Sequence, residues 1–253
     1  MEFYDFHLHL YDCSLKCKEE LYTMNEEKKY NVVSCAHSEK EFLVQNELAE
    51  SLSNLQVVQS FGLHPLFPDK TTADFMEELL VSKKISAIGE CGFDFFTEDG
   101  KLMEKAQDEC FDICVSLAAW HKVPLIIHNR KALLKIFENE KKLKAVPEIL
   151  FHGFYFSFQE AVSILRHLEQ SYFSFGKTLL QNGKKSLDCI KNLPLERVCL
   201  ETDSPFMTLK NETFTSPRQI ESVYKKFCEI KNISLEELQS KMKENFYKIF
   251  TMS

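Results

Sequence analysis

The chain has 253 residues, about the size of one barrel domain, and its 44% hydrophobic and 27% charged residues are ordinary for a globular protein. Seven glycines and seven prolines argue against long flexible linkers, so we expect a single domain over residues 1–253. The net charge of −7 argues against a binding protein that holds nucleic acid on a basic surface, whereas an enzyme that grips phosphate through bound cations needs less positive charge.

Short apolar runs alternate with longer amphipathic stretches along the chain. The candidate strands are residues 3–7, 31–36, 56–62, 85–90, 123–128, 148–152, 172–175 and 197–201. Residues 100–121 predict one long helix, and residues 221–228, 235–242 and 244–250 predict three closing helices, the second beginning at a capping box on Ser234. This alternation predicts an α/β fold with a parallel sheet. Eight strands in this length favour a closed, TIM-like (β/α)₈ barrel over an open sheet.

Other classes of protein are disfavoured. No apolar run approaches the ~20 residues of a membrane helix, and the first residues lack the basic and apolar parts of a secretory signal. We therefore expect a cytoplasmic protein with no membrane partner and no obligate protein partner. The nine cysteines are odd in number and scattered, so we expect small core side chains rather than disulfides.

The first candidate strand ends in a pair of histidines, within Asp5-Phe6-His7-Leu8-His9. Side chains two residues apart on a strand point the same way, so both imidazoles can face one cation. Imidazole nitrogen suits zinc and other transition metals, although a single pair of this kind is weak evidence.

Further metal-binding residue types stand at other strand ends, namely Glu90, His128, His152 and Asp203. Because barrel active sites gather at the carboxyl ends of the strands, we expect these four to meet His7 and His9 at one mouth. The number of ligands predicts one or two divalent cations, with Glu90 shared between two. Asp203 would hold or deprotonate the attacking water, and Glu201 would support a ligand rather than bind metal.

Several nearby residues have two interpretations. His64 at the third strand end would contact a phosphate or leaving group, or only shape its loop; Arg130 would pair with a phosphate or with a neighbouring carboxylate. Asp94 is interpreted as a turn or supporting residue. The histidines His37, His121 and His167 are interpreted as structural. The aromatic residues of two mouth loops would close the barrel top or stack on bases: Phe93, Phe95, Phe96, Phe154, Tyr155 and Phe156.

Taken together, these motifs resemble the TatD-type metal-dependent deoxyribonucleases of the amidohydrolase-like barrels. The resemblance extends nearly end to end and rests on Asp5-Phe-His-Leu-His9, Phe61-Gly-Leu-His-Pro65, Ile88-Gly-Glu-Cys-Gly-Phe-Asp94, Pro124-Leu-Ile-Ile-His-Asn-Arg130, Phe151-His-Gly-Phe154, Leu200-Glu-Thr-Asp-Ser-Pro205 and Glu244-Asn-Phe246. It implies a TIM-like barrel, magnesium, manganese or zinc as cofactor, DNA as substrate and the same six metal ligands.

The chain departs from the family pattern at three places. Phe6 replaces a small hydroxylated residue, Asn129-Arg130-Lys131 replaces Ser-Arg-Asp, and Gly153-Phe-Tyr-Phe156 replaces Cys-Phe-Ser-Gly. The metal ligands are kept while the loops on the substrate side differ. Two alternatives therefore stay open: a hydrolase of a small phosphoester, lactone or amide at the same metal site, and a catalytically idle metal-binding scaffold.

Overall fold

A computed structural model of the chain describes residues 1–22 and 27–250. The strands are β1 Glu2–Leu8, β2 Lys29–Ala36, β3 Leu55–Phe61, β4 Ala87–Asp94, β5 Leu125–Arg130, β6 Ile149–Phe151, β7 Ser171–Phe175 and β8 Val198–Leu200. They form one parallel sheet in sequence order from β1 to β8.

Helices connect the strands. They are α1 Leu10–Lys16, α2 Lys18–Tyr22, α3 Glu39–Ser51, α4 Ala73–Val81, α5 Glu98–Leu102, α6 Glu104–His121, α7 Leu133–Glu138, α8 Glu140–Leu143, α9 Phe158–His167, α10 Lys184–Asn192, α11 Ile220–Lys231 and α12 Leu235–Phe250. Short 3₁₀ turns occur at Lys70–Thr72, Lys177–Leu179, Leu195–Arg197 and Pro217–Gln219. Within the described ranges, no helix is both long and apolar enough to span a membrane.

The first and last strands meet, which closes the barrel. Leu8 forms a parallel bridge to Ser204, and the Asp203 backbone N–H donates to the His7 carbonyl oxygen at 2.9 Å. The buried Asp5 carboxylate accepts hydrogen bonds from the Thr202 backbone N–H at 3.0 Å and from the Thr202 hydroxyl at 2.6 Å. The closed (β/α)₈ barrel predicted from the sequence is therefore confirmed.

Successive side chains of β1 alternate between the outside of the barrel and its mouth. Phe6 packs outward against α12, with its ring 5.4 Å from that of Phe246 and 6.2 Å from that of Phe250. His7, the next residue, faces the other way, into the mouth of the barrel, because successive strand side chains point to opposite faces. An aromatic residue at position 6 thus anchors the closing helix while its neighbour is available for the site.

The predicted strands are all present, but several boundaries were wrong. β4 continues to Asp94 and β5 to Arg130, so Glu90 and His128 lie within strands rather than at their ends. Residues 235–250 form the single helix α12 instead of two helices. The predicted helix over residues 100–121 is interrupted at Met103, between α5 and α6.

Candidate metal centre

The six residues predicted as metal ligands lie together at the carboxyl end of the barrel. His7 and His9 come from β1 and the residue after it, Glu90 from β4 and His128 from β5. His152 follows β6 and Asp203 follows β8. Their side chains are almost entirely buried, and the most open are those of Asp203 at 15% and His128 at 18% exposure.

One group of atoms surrounds the Oε2 side of Glu90. His7 Nε2 and His9 Nε2 are 3.2 Å apart and lie 3.3 and 3.6 Å from Glu90 Oε2. Asp203 Oδ1 lies 3.7 Å from His7 Nε2 and 3.5 Å from His9 Nε2. Two imidazoles and two carboxylates therefore converge on one small volume.

A second group surrounds the other oxygen of the same carboxylate. Glu90 Oε1 lies 2.8 Å from His128 Nδ1 and 2.8 Å from His152 Nε2, and these two nitrogens are 3.1 Å apart. Glu90 thus stands between two sets of candidate ligands, with one oxygen directed at each.

These distances suit divalent cations. Ligands held ~2.0–2.2 Å from a cation at angles of about 90–120° are themselves about 2.9–3.7 Å apart. The first group spans 3.2–3.7 Å, within this range, and the second spans 2.8–3.1 Å, at its lower limit. Glu90 Oε2 is buried and has no hydrogen-bond partner among the described residues, although a buried carboxylate oxygen ordinarily requires one. Nitrogen and carboxylate donors are also the ligands that zinc and manganese accept, so the residues fit a metal centre.

Two glycines in β4 allow Glu90 to reach His128. Gly89 and Gly92 have φ angles of +134° and +138°, and a Cβ on Gly92 would lie 2.1 Å from the His128 carbonyl oxygen. The pairing of β4 with β5 shifts register between Ile88 and Cys91. A side chain at either glycine would push the strands apart, so the glycines hold the second ligand group together.

Acidic side chains lie behind two of the candidate ligands. His128 turns Nε2 towards Asp94 Oδ2, at 3.0 Å, which fixes the ring with Nδ1 facing Glu90. His152 Nδ1 lies 4.0 Å from Glu201 Oε1, and Gly153 N–H donates to that same oxygen at 2.7 Å. Asp94 thus occupies the position expected of a supporting residue, whereas Glu201 lies near His152 but forms no hydrogen bond to its Nδ1.

A thiol that the sequence interpretation missed lies behind His7. His7 Nδ1 is 3.4 Å from Cys35 Sγ, which in turn accepts a hydrogen bond from the Ser60 hydroxyl at 2.9 Å. Both residues come from neighbouring strands, β2 and β3. A single buried cysteine carries no motif, so only the sheet pairing reveals this contact.

Burial and the neighbouring charged groups shift the pKa values of residues in the centre. Burial lowers the pKa of His7 to about 3, helped by the adjacent His152. Burial opposes a charge on His9 as well, but the carboxylates of Asp203 and Glu90 outweigh it and raise that pKa to about 9. The imidazoles around Glu90 hold its pKa well below the usual range despite its burial. Burial raises the pKa of Glu201 to about 7.

The two predicted substrate contacts differ in position. His64 reaches the centre, with Nε2 3.3 Å from Glu90 Oε1 and Nδ1 accepting the Leu66 N–H at 3.1 Å. Arg130 lies further out, on the rim, where its guanidinium covers the Phe96 ring at 3.6 Å.

The mouth carries exposed aromatic rings paired with cations. Phe93 and Phe154 are buried, but Phe96 and Tyr155 are 48% and 63% exposed. In the segments that follow the strands, a cationic side chain lies over each of four aromatic rings. The distances from the cationic group to the ring centroid are 5.6 Å for Lys40 and Tyr11, 3.6 Å for Arg130 and Phe96, 5.8 Å for Lys185 and Tyr155, and 4.4 Å for Lys16 and Phe206. Phe67, 76% exposed, adds a fifth ring. We call these five rings the aromatic rim.

His37 was interpreted as structural, yet it lies beside the centre. Its Nε2 is 3.7 Å from Glu90 Oε2, and its ring is 5.0 Å from that of His64. Its position directly after β2 could have indicated this, because the histidines at the ends of the other strands also lie at the mouth of the barrel.

Comparison with known proteins gives consistent matches. A family model described as TatD related DNase matches residues 4–251. The uncharacterized metal-dependent hydrolase YabD of Bacillus subtilis is 29% identical over an alignment of 266 positions that covers 99% of each chain. The human deoxyribonuclease TATDN3 is 27% identical, covering 90% of this chain and 87% of the human protein. The crystal structure of YjjV, a TatD homologue from Escherichia coli, superposes with a TM-score of 0.82 at 23% identity, over 99% of this chain and 98% of YjjV.

Proposed function

The chain belongs to the family of TatD-related DNases and is a metal-dependent hydrolase, and from this premise we propose that it is a deoxyribonuclease. The proposed reaction adds water across a phosphodiester bond of DNA. One P–O bond forms, another breaks, and the products are a phosphomonoester and an alcohol.

One observation carries the proposal, namely the two-sided environment of Glu90. Its Oε2 faces His7 and His9, whereas its Oε1 faces His128 and His152. A carboxylate in this position is suited to bridging two cations. A pair of cations held there would stabilise both the attacking and the leaving oxygen of a phosphoester and would acidify the attacking water.

Side chains of the centre would position the attacking water and accept its proton. Asp203 is the carboxylate of the centre that reaches solvent, with 15% of its side chain exposed against 3% for Glu90. We assign it to hold the attacking water and accept its proton. Glu90, enclosed by imidazoles, stays ionised and holds the two ligand groups at a fixed distance from each other.

Two groups would bind the phosphate. Because His64 Nδ1 accepts a backbone N–H, the neutral ring carries its proton on Nε2 and donates into the centre. This proton is suited to a non-bridging phosphoryl oxygen or to the leaving oxygen. Arg130, at the rim, is suited to a neighbouring phosphate through its planar fork.

The aromatic rim supports a nucleic-acid substrate. Aromatic rings stack on bases, and cations beside them attract the phosphate backbone. The four cations beside these rings place positive charge on the rim of a chain whose net charge is −7.

The test is cleavage of end-labelled single- and double-stranded DNA by protein reconstituted with Mg²⁺, Mn²⁺ or Zn²⁺. We expect chelator-sensitive cleavage that is abolished in His128→Ala and Asp203→Ala and retained in His121→Ala, a histidine at the far end of α6. Cleavage that resists chelation, or that survives in the purified Asp203→Ala protein, contradicts the mechanism.

A second candidate is hydrolysis of a small phosphoester, lactone or amide. The acidic net charge and the chain's own sequence in the loops after His128 and His152 favour it. Turnover of such an ester without cleavage of either form of DNA would select this candidate. Metal binding without any turnover would select an idle scaffold.

A further inference from the structure

His37 lies at the carboxyl end of β2, between His9 and His64. Its ring centroid is 5.7 Å from that of His9 and 5.0 Å from that of His64. The backbone at this point is well fixed, because His37 N–H donates to Glu41 Oε2 at 2.7 Å and Ser38 caps the start of α3. Its side chain is 16% exposed, so the imidazole is presented to the centre rather than to bulk solvent.

A backbone contact sets the proton on the His37 ring. Nδ1 lies 3.1 Å from the Gly62 carbonyl oxygen, which can only accept a hydrogen bond. Nδ1 therefore carries the proton, and the neutral ring has its lone pair on Nε2. Among the described residues, that Nε2 is buried and has no hydrogen-bond partner.

The neighbouring His64 is the opposite tautomer. Its Nδ1 accepts the Leu66 N–H, so its Nε2 carries a proton and can donate to Glu90 Oε1, 3.3 Å away. The His64 proton thus faces an acceptor, Glu90 Oε1. The neutral His37 ring offers no proton to Glu90 Oε2, 3.7 Å away, because its Nε2 is itself an acceptor.

Two buried acceptors that face each other require something positive between them. A water molecule donating one proton to each would hold them about 4.5 Å apart at usual hydrogen-bond lengths. Two ligands of one cation are about 2.9–3.7 Å apart. The observed 3.7 Å matches the cation.

We propose that His37, through Nε2, is a further ligand of the cation on the Oε2 side of Glu90, shared with His7 and His9. The inference rests on the metal centre of the proposed function. It gives that position three neutral imidazoles, and so a preference for imidazole-binding ions such as Zn²⁺ or Co²⁺ over Mg²⁺, which favours oxygen ligands.

Co²⁺ is the probe, because its visible absorption reports the number and type of ligands. Metal-free protein, His37→Ala and the control His121→Ala would be titrated with Co²⁺, with Zn²⁺ and with Mg²⁺, by absorption and by calorimetry. We expect His37→Ala to weaken one Co²⁺ and one Zn²⁺ equivalent at least about 10-fold, to change the absorption of that equivalent and to leave the other unchanged. Thermal unfolding in chelator confirms that the variant is folded.

The outcomes separate this inference from the proposed function. A His37→Ala protein with the parent's Co²⁺ spectrum and affinities overturns the role of His37 alone. A parent protein that binds no Co²⁺ or Zn²⁺ overturns the metal centre itself. Loss of one Co²⁺ equivalent in the variant, in a parent that cleaves no DNA, supports His37 as a ligand and rejects the nuclease.

Discussion

Asp94 Oδ2 accepts a hydrogen bond from His128 Nε2 at 3.0 Å, on the side of the ring that faces away from Glu90. The other Asp94 oxygen accepts the Phe96 N–H at 2.9 Å, which keeps the carboxylate in place. The carboxylate thus fixes the ring's orientation and makes Nδ1 a better electron donor.

Asp94→Asn is expected to weaken binding of the cation held by His128 about 10- to 100-fold while the protein stays folded. The amide keeps the shape of the side chain but loses its charge. Calorimetric titration with Zn²⁺ measures the effect, and Asp99→Asn, on the nearby helix α5, is the control. Equal Zn²⁺ affinity in the parent and Asp94→Asn would show that Asp94 does not support the ligand.

Cation binding is expected to stabilise the fold, because the ligands come from strands spread around the barrel. At a Zn²⁺ concentration about 100 times the dissociation constant, the free energy of unfolding should rise by about 2.7 kcal/mol. Thermal unfolding with and without chelator measures the gain. An unfolding midpoint that does not respond to Zn²⁺ would contradict the metal centre.

Gly92→Ala is expected to destabilise the protein by about 3–5 kcal/mol, from strain at positive φ and from overpacking. The added methyl would lie 2.1 Å from the His128 carbonyl oxygen. Gly183→Ala is the matched control, since its methyl would lie 3.3 Å from the nearest atom. Urea unfolding compares the two, and equal midpoints would mean that β4 and β5 can separate without cost.

A buried ammonium holds two loops of the mouth together. Lys177 is fully buried and bonds to the Glu212 carboxylate and, at 3.0 Å, to the Thr215 hydroxyl. Glu212→Gln is expected to cost about 3–5 kcal/mol, because it leaves the ammonium without a counter-charge. Lys177→Met should cost less, because Glu212 is 25% exposed and can be hydrated. Urea unfolding at about pH 7 measures both, and the reverse order would contradict this explanation.

The same ion pair predicts a pH dependence. The hydrogen bond from Lys177 lowers the pKa of Glu212, so the unfolded chain binds its proton more readily than the folded protein. The stabilisation is fully present above the ordinary glutamate pKa and is lost as the pH falls through the lowered value. The stability difference between the parent and Glu212→Gln should therefore shrink from about pH 6 to about pH 3, whereas a constant difference would exclude this linkage.

The aromatic rim is expected to contribute to substrate binding rather than to the chemical step. Phe96→Ala and Tyr155→Ala should each weaken DNA binding by about 1–3 kcal/mol, raising KM with little change in kcat. Trp120→Ala is the control, because this ring is 79% exposed but lies near the end of α6, away from the mouth. An unchanged KM in both rim variants would remove the rim from substrate recognition.

Much of this arrangement could be predicted from the sequence, because parallel strands bring their carboxyl ends to one edge. That rule was sufficient to gather His7, Glu90, His128 and Asp203. It could not reveal the extension of β4 beyond Glu90, because the close approach of β5 depends on backbone at Gly89 and Gly92 that most residues cannot adopt.

Other features could not be predicted from a motif alone. His37 is a single histidine after a strand, and its importance depends on which ring nitrogen the Gly62 carbonyl engages. The separate helices predicted over residues 235–242 and 244–250 had no Gly or Pro between them to justify the break. The single helix α12 is the result.

The closure of the barrel through Asp5 and Thr202 has a consequence for biosynthesis. His7 and His9 are synthesised long before Asp203, whose carboxylate faces them in the folded barrel. A nascent or prematurely terminated polypeptide that stops before residue 202 lacks both the Asp5–Thr202 hydrogen bonds and the Asp203 carboxylate, which we assign to the attacking water. Such a product can complete neither the barrel nor the proposed site, so hydrolytic activity is expected only once synthesis has passed residue 203.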